Sequence, residues 1–297
     1  KLGFNAKRTM SVAQRLYEGV ELGERGTTAL ITYMRTDSVR ISDEARDGAR
    51  EWITRTLGPE FYPKEPRVYK SKGGTQDAHE AIRPVDPSLT PDSVKNLLPP
   101  EQYKLYRLIW ERFMSSQMAS ARFWDTVVTI GSGPAQWRAK GERLIFPGFL
   151  HIWSHSAESE SAVLPKLARG QELRLEQLHK EQKFTQPPAR FSEASLVHKL
   201  EELGIGRPST YAAIISTLTE RDYVHITDRH FEPTDLGVIV CDLLVEHFAQ
   251  LMDAGFTARM EESLDHVAEG DSDWVELLRN FARDFNPTLE KASQNMT

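Results

Sequence analysis

The spacing of the apolar residues changes twice along the chain. It is helical in the first part, for example over 42–57, where a helix is predicted. Near residue 120 apolar and polar residues begin to alternate, and 126–130, 136–140 and 172–178 are predicted strands. After a stiff proline linker at 186–188 the spacing is helical again. We therefore predict a multidomain, mainly α protein with a small β region, divided into residues 1–119, 120–184 and 185–297.

Composition indicates a globular protein without membrane contact. Of the 297 residues 39% are hydrophobic and 27% charged, and no apolar run approaches the roughly 18 residues of a membrane span. No signal-peptide pattern opens the chain, so we predict a cytoplasmic protein. The single cysteine, Cys241, excludes a disulfide or a cysteine-based zinc site within the chain. It lies in the apolar run 238–244, and we predict that it is buried in a helix.

The charge is unevenly distributed. The net charge is -6, but 14 acidic and 4 basic residues lie from Glu232 onward, so that part carries -10 and residues 1–231 carry +4. Lysine and arginine that displace counterions are the basis of DNA affinity. A DNA-binding surface is therefore expected in the first three quarters of the chain, and the acidic end is interpreted as a solvated helical face.

Residues 31–38 combine a phenol, a guanidinium and small hydroxyls in one short segment. The apolar residues 29–34 predict a strand that ends at Tyr33, with Arg35 two residues further on. A phenol has a pKa of about 10 and is a poor nucleophile at neutral pH. Arg35 can bind a phosphate through two parallel hydrogen bonds and stabilise the developing charge. A tyrosine and arginine at this spacing also occur in ordinary core strands, so the pair alone does not decide the function.

One further segment carries residues suited to phosphate. If Asp77 caps a short helix, His79 and Arg83 lie on one helical face and can bind the same phosphate; the alternative is a surface histidine beside a turn that ends in proline. The acidic pair at 271–273 precedes a predicted helix, so capping explains it better than metal binding.

The last part has the order helix, turn, helix and hairpin, which is typical of a winged helix. Its second helix is predicted from about residue 209 to 220. A helix N-terminus with free backbone N–H groups binds phosphate. The residues that we expect to contact the DNA backbone here are Arg207, Ser209, Thr210 and Arg221.

Five segments together resemble the type IA DNA topoisomerase family of bacteria: residues 4–10, 31–38, 78–84, 186–191 and 204–211. The resemblance covers nearly the whole chain. It implies that Tyr33 is the nucleophile, that Arg35 positions the phosphate and that His79 lies near the scissile phosphate. Asp37 and Arg83 join the expected DNA-binding residues.

The resemblance also implies an architecture and a reaction. The three parts would be a winged-helix-like tyrosine domain, part of a β-rich arch domain and a winged-helix C-terminal domain. The reaction would be ATP-independent relaxation of negatively supercoiled DNA through a 5′-phosphotyrosine, by a monomer acting mainly on single strands. Mg²⁺ would be held by a toprim domain preceding Lys1, with no metal bound by this chain, which we expect to be an inactive fragment.

Other functions remain open at this point. A non-enzymatic winged-helix protein could bind DNA with Tyr33 in a structural role. A tyrosine recombinase is disfavoured, because no paired arginines with an Arg-x-x-His cluster accompany a late tyrosine. A relative of archaeal reverse gyrase is not distinguished from a bacterial enzyme.

Overall fold

The computed structural model describes residues 1–69, 79–153 and 164–295. Within these ranges the chain is mostly helical, with three small antiparallel sheets of two strands each. The predicted mainly α fold with a small β region is confirmed. No helix among the described residues has both the length and the apolar character that a membrane span requires.

The first part is a helical unit with its own apolar core. Its elements are α1 (Ala6–Glu18), β1 (Val20–Glu21), β2 (Thr27–Thr28), α2 (Asp43–Thr56), α3 (Pro91–Val94) and α4 (Pro100–Gln117). Asn5 and Ser42 cap α1 and α2 by accepting hydrogen bonds from first-turn N–H groups. The helix predicted over 42–57 is thus confirmed. The core contains Leu16, Leu30, Ile53 and Met114, all nearly inaccessible to solvent.

The middle part is a long hairpin of β3 (Arg122–Ser132) and β4 (Ala135–Phe146). The strands pair in antiparallel register, for example Ile130 with Trp137, as predicted for 126–130 and 136–140. The predicted strand at 172–178 is wrong, because residues 164–191 are irregular and exposed. Alternation of side chains makes a strand only where a neighbouring strand satisfies its backbone groups, and none pairs with this segment in the described structure.

The last part contains two helices, a hairpin and four further helices. These are α5 (Glu193–Leu203), α6 (Tyr211–Glu220), β5 (Val224–Thr227), β6 (His230–Pro233), α7 (Asp235–His247), α8 (Ala249–Met252), α9 (Ala254–Glu269) and α10 (Trp274–Asn295). The predicted order is confirmed, although α6 begins about two residues later than expected. The hairpin turns at Asp228 and Arg229, both with positive φ.

The prediction for Cys241 is wrong. It lies in α7 but is exposed, as are Leu236, Val238 and Ile239 on the same helix. The apolar run predicted the helix correctly but not its burial, because α7 has apolar residues on more than one face.

Gly237 lies where α7 begins against the carbonyl of Tyr223. Thr234 caps the helix by accepting the Gly237 N–H at 2.9 Å, and its own N–H donates to the Tyr223 carbonyl at 3.1 Å. A Cβ at Gly237 would lie only 2.0 Å from the Tyr223 carbonyl oxygen. We therefore expect Gly237→Ala to lower the free energy of unfolding by about 2 kcal/mol, as overpacking does.

Urea unfolding followed by circular dichroism measures this effect. Gly48→Ala is the matched control, because Gly48 also lies in a helix but its added Cβ makes only ordinary contacts of 3.8 Å with Pro87. This control should be neutral or slightly stabilising, by up to about 1 kcal/mol. Equal stability of Gly237→Ala and the parent chain would contradict the close approach described.

Candidate active site around Tyr33

Tyr33 lies just beyond a short stretch of backbone pairing. The predicted strand over 29–34 is wrong: β2 ends at Thr28, and only an isolated antiparallel bridge joins Ile31 to Pro84. The Val85 N–H donates to Leu30 O at 3.0 Å, and the Thr32 N–H donates to Arg83 O at 2.9 Å. The backbone immediately before Tyr33 is therefore held by hydrogen bonds, and Tyr33 is the first residue beyond them.

Residues 84–89, which pair with the segment before Tyr33, are held in place by α4. The Tyr106 hydroxyl donates to Leu89 O at 2.5 Å, and Trp110 Nε1 donates to Pro87 O at 3.0 Å. Burial raises the pKa of Tyr106 well above its usual range, so its hydroxyl remains a donor. Two buried aromatic side chains of one helix thereby hold residues 84–89 in place.

His79 is brought to Tyr33 by this pairing. The two rings stack with centroids 5.4 Å apart and planes inclined by 30°. The prediction of a helix that brings His79 and Arg83 onto one face is wrong for residues 79–83, which are irregular. Asp77, the expected cap of that helix, lies outside the described residues. The backbone here bonds to other segments instead, with the Ala81 N–H donating to Arg40 O at 2.8 Å.

The Arg83 guanidinium is bound by other groups of the protein. Its Nε and Nη2 atoms lie 2.9 and 2.7 Å from one carboxylate oxygen of Glu80, and its Nη1 donates to Pro84 O at 3.0 Å. The Arg83 side chain is only 13% exposed. This ion pair shapes the loop between His79 and Pro84, and it occupies most of the donors that the sequence had assigned to phosphate.

Arg35 is in the opposite situation. It is exposed, and its guanidinium has no hydrogen bond or ion pair to any of the described residues. A fork of five N–H donors two residues from Tyr33 is thus available to a ligand. The structure therefore places Tyr33, Arg35 and His79 in one neighbourhood.

Asp37 faces a cleft between the first and last parts of the chain. The cleft has a volume of about 740 Å³, and residues 36–39 line it opposite Glu193 and Tyr211. Burial, and then the charges of Glu201 and Asp37, raise the pKa of Tyr211, with Arg207 acting in the other direction. Asp37 itself is exposed.

Arg207 and Thr210 form a compact turn before α6. The Arg207 N–H donates to Thr210 Oγ1 at 2.9 Å. The Arg207 guanidinium donates to Asp265 at 2.5 Å and lies 3.8 Å from Glu261. Burial opposes its charge, but the hydrogen bond and charge of Asp265 outweigh burial and raise the pKa of Arg207.

The side chains of Ser209 and Arg221 are exposed at the two ends of α6 and have no polar partner in the described ranges. Three of the four residues expected to contact the DNA backbone, Arg207, Ser209 and Thr210, therefore lie together before α6, and Arg221 lies at its other end. They are not equivalent, because Arg207 already has acidic partners.

Magnesium is the metal implied by the resemblance, and the Tyr33 neighbourhood does not fit it. Glu80 is paired with Arg83, and Asp37 belongs to no group of three potential ligands among the described residues. Within the described residues the one group of three side chains close enough to share an ion is His266, Glu269 and Asp271, all exposed at the C-terminal end of α9. We therefore derive no step through a metal ion held by this chain.

Comparison with known proteins explains the arrangement. A family profile described as DNA topoisomerase matches residues 1–279. The chain belongs to the bacterial DNA topoisomerase family. The full-length topoisomerase I from Thermotoga maritima, in a monoclinic crystal form, is similar in structure, with a TM-score of 0.80 and 36% sequence identity. That match covers 97% of this topoisomerase chain and 47% of the Thermotoga chain, so this chain spans about half of its relative's length.

Sequence reasoning missed two side chains of the site in this topoisomerase chain. Glu80, which fixes Arg83, received no role although it lies in one of the five similar segments. Tyr17 contacts the Tyr33 ring with centroids 5.3 Å apart and received no role either. The Tyr17 contact has no signal in the local sequence, because it depends on segments that meet only in the folded chain, whereas Glu80 and Arg83 are only three residues apart in the sequence.

Proposed function

We propose that this chain supplies the strand-cleaving tyrosine of a type IA DNA topoisomerase. The observation that supports this most is the convergence, in a family member, of Tyr33, the stacked ring of His79 and the guanidinium of Arg35, which is unpaired among the described residues. The Tyr33 phenolic oxygen attacks the phosphorus of one strand. The 3′ oxygen leaves, and the 5′ phosphate remains bound to Tyr33.

The reverse attack of the 3′ hydroxyl reseals the strand. One phosphodiester bond is replaced by another at each step, so the bond energy is conserved and ATP is not needed. Arg35 stays charged throughout and stabilises the negative charge that grows on the phosphate oxygens. His79 packs against the nucleophile's ring and lies where it can contact the same phosphate.

The strand leading to Tyr33 is guided by the last part of the chain. Ser209, Thr210 and the N-terminus of α6 offer hydroxyls and backbone N–H groups, which favour phosphate oxygens over base edges. Arg221 adds an exposed cation at the other end of the helix. The two helices and the hairpin form the proposed winged-helix domain, and β3 with β4 forms the proposed part of the arch.

We expect Arg221→Ala and Arg207→Ala to weaken binding of single-stranded DNA with different side effects. Each should lower the dependence of binding on salt by about one phosphate contact, for any sequence. Only Arg207→Ala should also destabilise the fold, by up to about 1 kcal/mol, since it leaves Asp265 without its partner.

Fluorescence anisotropy at several salt concentrations, on a purine-rich and a pyrimidine-rich strand, measures the binding; urea unfolding measures the stability. A loss confined to one of the two strands, with an unchanged salt dependence, would show base readout. That result would contradict the proposed guide role of α6.

Relaxation of supercoiled plasmid tests the function as a whole. The complemented enzyme joins this chain to the part of the Thermotoga maritima topoisomerase I chain outside the match. We expect it to relax negatively supercoiled DNA with Mg²⁺ and without ATP, since we propose that this added part contains the toprim domain that holds Mg²⁺. We expect the 297-residue chain alone to be inactive. Relaxation by this chain alone would contradict the proposal that the reaction needs a domain outside it. A need for ATP would contradict the proposed chemistry.

In the cell we propose a monomer acting on single-stranded or underwound DNA of the cytoplasmic nucleoid.

A further inference from the structure

The direction of the Tyr33 side chain is not set by a hydrogen bond of its own. Its hydroxyl donates to no group and accepts from none among residues 1–69, 79–153 and 164–295. The backbone is anchored through Thr32, whose hydroxyl donates to Ala81 O at 2.7 Å, but this leaves the ring free to turn about its side-chain bonds. Packing against the ring must therefore hold the phenol in one direction.

Two other rings provide that packing. His79 stacks on Tyr33 at 5.4 Å, and Tyr17 meets it edge-on at 5.3 Å with the planes inclined by 65°. Edge-to-face and offset-stacked pairs at 4.5–7 Å are the arrangements that aromatic rings favour. Tyr33 is thus held by one ring from α1 and one from the 79–85 segment.

Tyr17 is itself fixed relative to the backbone of Tyr33. It lies in the last turn of α1, directly after Leu16, which is fully buried in the core. The Leu16 carbonyl accepts the N–H of Leu30 at 2.8 Å, three residues before Tyr33. Helix α1 and the approach to Tyr33 are therefore tied together within one turn of Tyr17, so that the backbone from which the Tyr17 ring projects is fixed relative to the backbone before Tyr33.

The exposure of Tyr17 argues against a mainly structural role. Its side chain is 38% exposed, whereas its neighbour Leu16 is inaccessible. Truncating Tyr17 opens no cavity in the core, and substitutions at such sites change stability little. The main contact that would be lost is the one with the Tyr33 ring.

We infer that Tyr17 is a positioning residue that holds the Tyr33 ring for attack. The inference rests on the proposed function, in which Tyr33 is the nucleophile. Attack requires the phenolic oxygen to lie about 3 Å from phosphorus and in line with the leaving oxygen, and a small misplacement costs rate. Tyr17 need not touch DNA, because it acts only through the direction of the Tyr33 ring.

Aromatic NMR spectra of the 297-residue chain test the contact without any activity. The Tyr33 ring signals are assigned by their loss in Tyr33→Phe. Tyr17→Leu should shift them, because the ring current of Tyr17 is removed. Tyr62→Leu is the control, since Tyr62 is also half-buried at the same core but does not contact Tyr33. Unchanged Tyr33 signals in Tyr17→Leu, or an equal shift in Tyr62→Leu, would overturn the inference.

The rate of adduct formation in the complemented enzyme tests the consequence. Tyr17→Leu should slow covalent attachment roughly two- to tenfold, the range expected for one aromatic pair, without a change in non-covalent DNA affinity. Tyr17→Phe keeps the ring and should recover most of the rate, a rescue that loss of a hydroxyl contact would not allow. Equal rates for Tyr17→Leu and the parent enzyme would overturn the inference.

Failure of this inference is distinguishable from failure of the proposed function. If Tyr33→Phe still forms the adduct, the nucleophile is wrongly assigned, and the positioning role of Tyr17 is then wrong as well. If Tyr33→Phe forms none while Tyr17→Leu reacts at the parent rate, the function stands and only the positioning role is wrong.

Discussion

Replacing Tyr33 by Phe is expected to abolish the covalent protein–DNA adduct of the complemented enzyme. Phenylalanine keeps the ring that packs between Tyr17 and His79 but has no oxygen to attack phosphorus. Non-covalent affinity for a single strand should change by less than about 1 kcal/mol, because at most one hydroxyl hydrogen bond is lost. Adduct is measured by denaturing electrophoresis of labelled DNA, and affinity by anisotropy.

The control for this substitution is Tyr69→Phe. The Tyr69 hydroxyl donates to Ser116 O at 2.7 Å, away from the rings of Tyr33 and His79. This variant removes one phenolic oxygen without touching the proposed nucleophile, so the adduct should persist. Adduct formation by Tyr33→Phe would exclude Tyr33 as the nucleophile and leave the chain as a DNA-binding protein or an enzyme with another attacking group.

Replacing Arg35 by Ala is expected to slow cleavage by roughly 10²–10³-fold, the usual cost of removing one group that stabilises a transition-state charge. Arg35 is exposed and unpaired among the described residues, so its removal should change the free energy of unfolding by no more than about 0.5 kcal/mol. Arg35→Lys should recover only part of the rate, because an ammonium cannot make the paired hydrogen bonds of a guanidinium. Single-turnover cleavage kinetics measure the effect.

Arg83→Ala is the informative comparison. Arg83 forms an internal pair with Glu80 and is 13% exposed, so its loss should lower stability more than Arg35→Ala does, since Glu80 would remain without its partner. If Arg35→Ala cleaves at the parent rate, or if Arg35→Ala is the less stable of the two variants, the two arginines have been assigned the wrong roles.

The helices were largely predictable from sequence because their signals are local. Ser42 and Ser192 cap α2 and α5 by accepting N–H groups three residues on, and such caps are visible in the sequence. The hairpin of β5 and β6 was likewise predictable, since Asp228 and Arg229 form a short turn between alternating stretches. The family resemblance then predicted which short segments carry the proposed chemistry.

The geometry of the site was not predictable, because it depends on contacts between distant segments. The apolar residues before Tyr33 suggested a strand, but among the described residues they pair only briefly with the stretch around Pro84, so that an isolated bridge forms. The ring contacts of Tyr33 come from α1 and from His79, 46 residues further along the chain. Arg207 resembled a free phosphate ligand in sequence, and its pairing with Asp265 appears only when α9 packs nearby.

Identifying the residue that carries DNA tests the central claim most directly. The complemented enzyme is trapped with a short oligonucleotide by denaturation, digested with protease and nuclease, and analysed by tandem mass spectrometry. The account predicts a nucleotide linked through its 5′ phosphate to the peptide that contains Tyr33, and no such peptide in Tyr33→Phe. A nucleotide on any other residue, or a link through a 3′ phosphate, would contradict it.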